Sequence, residues 1–288
     1  MFRIVERQRV NPEVNRFVIE ASIIAKKREP GQFVVFRLHE KGERIPITIA
    51  DADAQAGTIT VYVQELGKTT FQMGRMNAGD EIADVIGPLG NPTPIEKLDG
   101  EVFAIAGGVG SAEVLPIARK HKEAGNKVIA ILGYRSKDIV ILEEEFRSFC
   151  DEVYVTTDDG TYGREGFVTT ELKDHLEKGR PIAEIIAVGP AIMMKAVCDL
   201  TRHYNIKTMV SLNSIMIDAT GMCGVCRVEV GGETRYACVH GPEFDGHKVN
   251  FDLLLKRLAS FKEEERISLE RWQAAVGGEH TPWGAQDA

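Results

Sequence analysis

The chain lacks an excess of basic residues, a long apolar run and an apolar N-terminal core. Its 288 residues carry a formal net charge of −8, which argues against nucleic acid as a partner, because nucleic-acid-binding proteins present a basic patch. No apolar run approaches the length of a membrane span. The N-terminal residues do not form the apolar core of a signal peptide. The hydrophobic fraction of 43% and the charged fraction of 27% are those of a globular protein with packed cores.

Cysteine is also scarce, and its distribution is uneven. An odd count of five without a signal peptide predicts a reducing compartment. We therefore expect a cytoplasmic protein whose thiols are free or bind metal. Cys150 and Cys198 stand among apolar and helical residues, and we interpret both as core residues. Cys223, Cys226 and Cys238 form the pattern C-x2-C-x11-C.

The three clustered cysteines predict a metal centre. Two thiolates three positions apart in a Gly-rich turn can bind one metal, and a third thiolate adds to the ligand set. A [2Fe–2S] cluster would add Asp218, because D-x4-C-x2-C parallels the plant-type C-x4-C-x2-C spacing. Zinc would instead add His240. Uncoordinated thiols are a third alternative, which the concentration of cysteines disfavours.

Apolar patterning divides the chain into three predicted segments. Residues 1–96 contain short Val-, Ile- and Thr-rich stretches between turn residues, which predicts a small antiparallel β barrel. Residues 97–210 alternate strand and helix patterns, which predicts an α/β domain with a parallel sheet. Residues 211–288 contain the cysteines, a hairpin signal at Gly231-Gly232 and an amphipathic helix over 250–262. We expect the run at 262–266 to be a solvated helix face, and the tail after Trp272 to be loose or dependent on a partner.

Glycine-rich and polar loops follow the predicted strands of the second segment. Gly107, Gly108 and Gly110 lie between a buried strand and a helix, where backbone N–H groups can contact a phosphate. The loop departs from the G-x-G-x-x-G fingerprint because Glu113 occupies its last position. The loops after the later strands contain Tyr134, Arg135, Asp158, Asp159, Gly189 and Pro190. The carboxyl ends of parallel strands share one edge of a sheet, so these loops predict a dinucleotide cleft.

Two stretches of the first segment suit an anionic ligand. Arg44, Pro46 and Thr48 alternate along a predicted strand, so their side chains share one face. An arginine on this face can bind a phosphate with two hydrogen bonds. The stretch from Gly67 to Thr70 opens a predicted helix with free N–H groups and hydroxyls. Taken singly, Arg44 is more often a surface ion-pair residue, and Thr69 or Thr70 is more often an ordinary helix cap.

Taken together, the motifs resemble the ferredoxin reductase superfamily over about residues 1–265. The order R-x-P-x-[ST], G-x-x-[ST], Gly-Gly-x-Gly and a cysteine cluster carries the resemblance. Two groups are the most similar: the electron-transfer subunit of dihydroorotate dehydrogenase, and the small subunit of NADH-dependent reduced ferredoxin:NADP oxidoreductase, also described as sulfide dehydrogenase. The dihydroorotate group has a cysteine at the position of Asp218, so this residue favours the second group. Glu113 replaces a common proline of the superfamily, and Val188 a common cysteine.

The resemblance implies three bound cofactors, namely FAD, NAD(H) and a [2Fe–2S] cluster. The residues implied at FAD are Arg44, Pro46, Ile47, Thr48, Tyr62, Val63, Gln64, Gly67, Thr69 and Thr70. Those implied at the nicotinamide nucleotide are Gly107, Gly108, Gly110, Tyr134, Arg135, Asp158, Asp159, Gly189 and Pro190. Those implied at the cluster are Asp218, Cys223, Cys226 and Cys238. No catalytic side chain is implied, because hydride passes directly between cofactors.

The implied function is electron transfer within a heterodimer. The partner would be a larger subunit with a flavin and [4Fe–4S] clusters, and the complex would couple NADPH oxidation to reduction of ferredoxin and NAD by electron bifurcation. One alternative is the electron-transfer subunit of dihydroorotate dehydrogenase. Another, from a different class, is a zinc-stabilised nucleotide-binding regulatory module. Arg135 would suit the 2′-phosphate of NADP or would pair with an acid, whereas the family resemblance favours NAD.

Overall fold

A computed structural model of the chain describes residues 1–276. The strands are β1 (Phe2–Arg9), β2 (Val14–Glu20), β3 (Phe33–Arg37), β4 (Arg44–Thr48), β5 (Asp51–Asp53), β6 (Thr58–Gln64), β7 (Glu81–Ile82), β8 (Asp84–Leu89), β9 (Glu101–Gly107), β10 (Lys127–Tyr134), β11 (Glu152–Thr157), β12 (Arg164–Glu165), β13 (Ile182–Val188), β14 (Lys207–Ser211), β15 (Arg227–Val230), β16 (Glu233–Tyr236) and β17 (Glu243–Asp245). The helices are α1 (Ser22–Lys27), α2 (Lys68–Met73), α3 (Gly110–Glu123), α4 (Glu143–Arg147), α5 (Val168–Glu177), α6 (Ala191–Arg202), α7 (Ala237–His240), α8 (Phe251–Leu258) and α9 (Lys262–Ala275). No helix within residues 1–276 is long and apolar enough to cross a membrane.

The N-terminal segment forms two antiparallel sheets around one core. The larger sheet has the order β5-β6-β2-β1-β7, and the smaller has the order β4-β3-β8. In β6, Val61 and Val63 point into the core, whereas Tyr62 and Gln64 lie on the opposite face. The antiparallel class is therefore confirmed, in the form of two separately hydrogen-bonded sheets.

The second segment forms the predicted parallel sheet. Its strand order is β12-β11-β10-β9-β13-β14, and the central strand β9 is a continuous apolar run that is fully buried from Val102 to Ala106. Such a run is typical of a strand covered on both faces. One face packs against α3 and α4, and the other against α5 and α6. All these strands run in the same direction, so their carboxyl ends meet at one edge.

The C-terminal segment is continuous with this sheet. Strand β17 pairs antiparallel with β14 and extends the sheet to seven strands. The hairpin predicted at Gly231-Gly232 joins β15 to β16. Cys238 lies in the short helix α7, which follows β16 directly.

The predicted helix over 250–262 corresponds to α8 and ends earlier than predicted, and a second helix, α9, follows it. Helix α8 ends at Leu258 and α9 begins at Lys262, so the exposed charged run at 262–266 lies in the first turns of α9. The expectation of a loose tail after Trp272 is wrong as far as Ala275, because α9 continues to that residue. A tertiary contact supports the helix, since the guanidinium carbon of Arg75 lies 4.8 Å from the centre of the Trp272 ring. The part of that tail from 277 onwards lies outside the described residues.

Candidate cofactor and metal sites

A cleft of about 1180 Å³ lies between the N-terminal sheets and the carboxyl edge of the parallel sheet. This volume exceeds the usual range for drug-sized ligands and is large enough for a dinucleotide. The predicted nucleotide and flavin residues that line it are Gln64, Gly107, Gly108, Gly110, Tyr134, Arg135, Asp158, Gly189 and Pro190. The structure therefore brings most of the predicted nucleotide residues together.

The glycine loop after β9 forms one wall of the cleft. A Cβ at Gly110 would collide with the carbonyl oxygen of Val188, so the first turn of α3 can pack against β13 only because this residue is glycine. Gly108 has φ +57, and a Cβ there would meet no atom within 4 Å. The Gly108 N–H donates to the carbonyl of Gly133 at 2.9 Å. The loop is thus fixed to β10 and leaves open space in front of the amino end of α3, which suits a phosphate.

Two predicted nucleotide residues have structural partners of their own. The Tyr134 hydroxyl donates to the carbonyl of Ile141 at 2.6 Å, and burial raises its pKa to about 12. Asp159 accepts from the backbone and the hydroxyl of Thr161 at 3.0 and 2.6 Å, and it does not line the cleft. Asp158 does line the cleft, where burial raises its pKa and Arg135 opposes the rise. Tyr134 and Asp159 therefore support the wall, and Asp158 faces the ligand space.

Arg135 is bound by an acid from the N-terminal sheets. Glu13 Oε1 accepts from Arg135 Nη2, and Glu13 Oε2 accepts from Gln64 Nε2 at 2.8 Å. Glu13 is 8% exposed, whereas the Arg135 side chain is 58% exposed. Glu13 was not among the predicted site residues. No local sequence signal could identify it, because it lies in a turn before β2 and 122 positions from Arg135.

Glu113 also lines the cleft and faces the N-terminal sheets. Burial raises the pKa of its carboxyl group to about 7, and its interaction with the hydroxyl of Thr48 in β4 opposes the rise. The residue that breaks the glycine fingerprint is thus a carboxyl group that can be neutral or charged near neutral pH. Its contact with Thr48 connects the side of the cleft predicted for the nucleotide to β4, a strand that the family resemblance implies at FAD.

Most residues implied at FAD lie outside the cleft lining. Arg44, Pro46 and Thr48 share one face of β4, and Arg44 is exposed. Val63 is 1% exposed in the N-terminal core, so only its backbone can reach a ligand. Ile47 packs against the same core, and Tyr62 packs against the core on the α3 side of the parallel sheet.

The threonines after Gly67 already have hydrogen-bond partners. The Thr69 hydroxyl donates to Glu43 Oε2 at 2.7 Å, and Lys68 pairs with the same carboxylate at 2.6 Å. The Thr70 hydroxyl accepts from the Gly67 N–H at 3.0 Å and caps α2. Thr70 thus makes the helix-cap contact that the alternative interpretation described, whereas Thr69 binds the side chain of Glu43.

The cysteine loop brings two thiols together. Cys226 and Cys238 are buried, and their sulfurs lie 3.1 Å apart. Two thiolates on one tetrahedral metal at about 2.3 Å would be about 3.7 Å apart, so these two sulfurs lie closer together than ligands of one metal would, and they are not joined by a disulfide. Burial and the neighbouring Cys226 raise the pKa of the Cys238 thiol. Within residues 1–276, no three Cys, His, Asp or Glu side chains converge as a metal site.

Asp218 and Cys223 lie at the outer side of the same loop. Asp218 accepts from the Cys223 N–H at 2.8 Å and from the Thr220 N–H at 3.0 Å. Its charge also contributes to the raised pKa of Cys238, so the carboxylate lies near the thiol pair. Three free thiols and one carboxylate, from the 218–226 loop and from α7, fit the donor chemistry of an iron–sulfur cluster.

His240, the fourth ligand of the zinc alternative, makes other contacts. Its Nδ1 accepts from the Tyr236 N–H at 2.9 Å, and its ring stacks on Tyr236 with 5.8 Å between centroids. It also lines a second cavity, of about 500 Å³, with residues of the hairpin. These contacts disfavour His240 as a ligand of the metal that the cysteines would bind.

Two protein families match separate parts of the chain. Residues 104–199 match the oxidoreductase NAD-binding domain, and residues 213–250 match the iron-sulfur cluster binding domain of dihydroorotate dehydrogenase B. The first match covers the glycine loop and the parallel sheet, and the second covers the cysteine loop and β15 to β17.

The chain is also similar, over most of its length, to individual relatives and to a solved structure. It is 47% identical over 274 residues to the dihydroorotate dehydrogenase B (NAD(+)) electron transfer subunit homolog of Thermotoga maritima, which covers 95% of this chain and 96% of the relative. It is 30% identical to the dihydroorotate dehydrogenase B (NAD(+)) electron transfer subunit of Geobacillus kaustophilus, over 85% of this chain and 99% of the relative. Among solved structures, that of an NADH-dependent reduced ferredoxin-NADP oxidoreductase, described for flavin-based electron bifurcation, matches with a TM-score of 0.89 and 46% identity, over 94% of this chain and 98% of that chain.

Proposed function

Because the chain belongs to the family of dihydroorotate dehydrogenase B electron-transfer subunits and their homologues, we propose that it passes electrons between NAD(H), FAD and a [2Fe–2S] cluster. We infer that it does so as the small subunit of an NADH-dependent reduced ferredoxin:NADP oxidoreductase. The observation that carries the proposal is the cleft between the N-terminal sheets and the nucleotide edge of the parallel sheet. A ligand in this cleft contacts both walls, as hydride transfer between two bound cofactors requires.

The residues of this chain would bind and orient the cofactors. On the nucleotide side, the loop at Gly107–Gly110 and the amino end of α3 would hold the pyrophosphate, and Asp158 would face the nucleotide. On the barrel side, Arg44, Thr48 and Gln64, together with the backbone around Val63 and Gly67, would contact FAD. Bound FAD supplies the change between two-electron and one-electron transfer. No side chain is assigned an acid or base role in hydride transfer.

The cluster ligands would be Asp218, Cys223, Cys226 and Cys238. A carboxylate is a harder ligand than a thiolate, so the potential should differ from that of an all-cysteine cluster. Asp218 and Cys223 would complete the ligand set with Cys226 and Cys238, whose sulfurs lie 3.1 Å apart. The unpaired thiols also favour a reducing compartment, and we place the protein in the cytoplasm.

We propose a functional division into residues 1–96 for FAD, 97–210 for NAD(H) and 211–288 for the cluster. The relatives are named as electron-transfer subunits, so this chain would act with a larger partner. More specifically, we propose that this partner is a larger subunit with FAD and [4Fe–4S] clusters, in a bifurcating complex that acts on ferredoxin and NADP. Asp218 favours this complex over a dihydroorotate dehydrogenase, whose electron-transfer subunit has cysteine at that position.

An anaerobic visible spectrum of the purified chain, with iron, zinc and flavin quantified, tests the proposal. We expect flavin bands, a broad iron–sulfur absorbance with two irons per chain, and bleaching by NADH. Replacing Asp218 with alanine should lower iron content or change the spectrum of the cluster, while flavin content stays unchanged. A colourless chain that contains zinc and no iron would contradict the proposal.

A further inference from the structure

Helix α9 packs against α2 of the N-terminal segment. The guanidinium carbon of Arg75, two residues after α2, lies 4.8 Å from the centre of the Trp272 ring. Nearer the amino end of α9, partial burial and the charge of Glu43 raise the pKa of Glu265, so these two carboxyl groups lie near each other. Glu43 in turn pairs with Lys68 at 2.6 Å. The two helices therefore approach each other near both ends of α2.

The spacing of these contacts gives the direction of the two helices. Glu265 and Trp272 are seven positions apart on α9, and Lys68 and Arg75 are seven positions apart on α2 and the turn after it. Seven residues make about two helical turns, or about 10 Å. Because Glu265 lies towards Lys68 and Trp272 lies at Arg75, α9 runs beside the whole of α2 and in the same direction.

Helix α2 also forms part of the cleft wall. Its residue Phe71 lines the cleft. At its amino end, the Thr69 hydroxyl donates to Glu43 Oε2 at 2.7 Å, and Glu43 directly precedes Arg44, the first residue of β4. Thr69 and Arg44 are both residues implied at FAD. A flavin nucleotide that extends from the cleft to the start of β4 therefore passes beside α9.

Helix α9 has the features of a segment that can open locally. None of its residues is buried, and its N-cap residue, Phe261, makes no capping hydrogen bond with its side chain. Arg266 pairs with Glu263 and Glu270, which lie on the same helix, so these ion pairs stabilise α9 without attaching it to α2. Segments with few buried contacts open at a lower free energy than the whole protein unfolds.

We propose that α9 is a strap that closes over the edge formed by α2 and the start of β4, and that its release from Arg75 controls the rate at which FAD leaves the protein. The inference rests on the proposed flavin-binding function. A closed strap lengthens the residence time of a ligand by blocking its departure, so its effect appears in the dissociation rate. An open strap exposes this edge to solvent and leaves the other contacts of the ligand in place.

Exchange of bound FAD for an excess of radiolabelled FAD, followed on the anaerobic, cofactor-loaded protein, tests the inference. Trp272→Ala should speed the exchange about fivefold, as expected for the loss of one cation–π contact. Trp272→Phe keeps an aromatic face for Arg75 and should stay within about twofold of the wild-type rate. Arg75→Ala should speed the exchange as much as Trp272→Ala does, and the double variant should speed it no further, because both changes remove the same contact.

Arg266→Ala is the matched control. It removes ion pairs within α9 and leaves Trp272 in place, so the rate of FAD exchange should change less than about twofold. The inference fails if Trp272→Ala speeds amide hydrogen exchange in α9 while FAD still exchanges at the wild-type rate, or if the effects of Trp272→Ala and Arg75→Ala add. It also fails if faster FAD exchange is accompanied by loss of iron, which indicates general unfolding. A wild-type protein that binds no FAD would instead overturn the proposed function.

Discussion

Replacing Glu243 with glutamine should stabilise the protein far more at pH 8 than at pH 5. Glu243 lies on β17, the strand that attaches the C-terminal segment to the parallel sheet. Its Oε1 accepts from the Thr93 hydroxyl at 2.7 Å, and its Oε2 is buried without a hydrogen-bond partner among the described residues. Burial raises the pKa of this carboxyl group to about 7. The charge of Glu184 adds to the rise, and Thr93 and Lys207 oppose it.

The sign and size of the effect follow from this pKa. The folded protein holds the proton more tightly than the unfolded chain, whose carboxyl has the ordinary pKa of 4.5. The wild-type protein therefore loses stability as the pH rises from about 4.5 to about 7, and the loss is complete above 7. The difference between these two pKa values corresponds to a loss in the free energy of unfolding of at most about 3.4 kcal/mol, at 1.36 kcal/mol for each pKa unit. About 2.5 kcal/mol of it develops between pH 5 and pH 8.

Apparent unfolding temperatures of the wild-type protein and Glu243→Gln, measured at several values between pH 5 and 8, provide the assay. A change of this size should appear as several degrees in a chain of this length. The contacts of glutamine do not titrate, so the pH-dependent part of the difference isolates the ionisation of Glu243. Glu20→Gln removes an exposed acid at the end of β2 and serves as the control, with a small and nearly constant difference. A Glu243→Gln advantage that stays the same from pH 5 to pH 8 would refute the reasoning.

Two further predictions concern the cleft and the C-terminal helix. As the pH rises through 7, Glu113 becomes charged, so NAD⁺ binding should weaken several-fold between pH 6 and pH 8 in the wild-type protein, and this change should be absent in Glu113→Gln. Titration calorimetry at both pH values measures it, and an equal pH dependence in both proteins would contradict it. Trp272→Ala should remove about 1 kcal/mol of cation–π and packing energy between α9 and α2. It should speed amide hydrogen exchange in α9 alone, so unchanged protection there would argue against the contact.

The elements that carry local signals could be predicted from the sequence. The glycine loop, the polar residues after each parallel strand and the C-x2-C-x11-C pattern are short patterns with a direct physical meaning, and they locate the cleft and the cysteine loop. Gly110 is an example, because the close approach of α3 to β13 demands glycine whatever the rest of the chain does. The continuous apolar run in β9 likewise predicts a central strand by itself.

The contacts between distant segments could not be predicted. Glu13 reaches Arg135 across 122 positions, and no pattern in either stretch specifies the other. The same holds for β17, which joins the parallel sheet from a segment assigned to the cluster, and for α9, whose end packs against Arg75. The direction of the Tyr134 side chain could not be predicted either, because its hydroxyl turns inward to a backbone carbonyl although the residue lines the cleft.

Three acids lie where the N-terminal segment contacts the rest of the chain, and their partners differ. Glu13 meets a guanidinium and an amide, so its charge is balanced where the N-terminal sheets face the nucleotide wall. Glu113 and Glu243 each meet a hydroxyl, from Thr48 and Thr93, and burial raises the pKa of both to about 7. A buried carboxylate is costly unless it is paired. Above pH 7 the carboxyl groups of Glu113 and Glu243 are therefore both charged. Of these three acids, only Glu13 is paired with a guanidinium among the described residues.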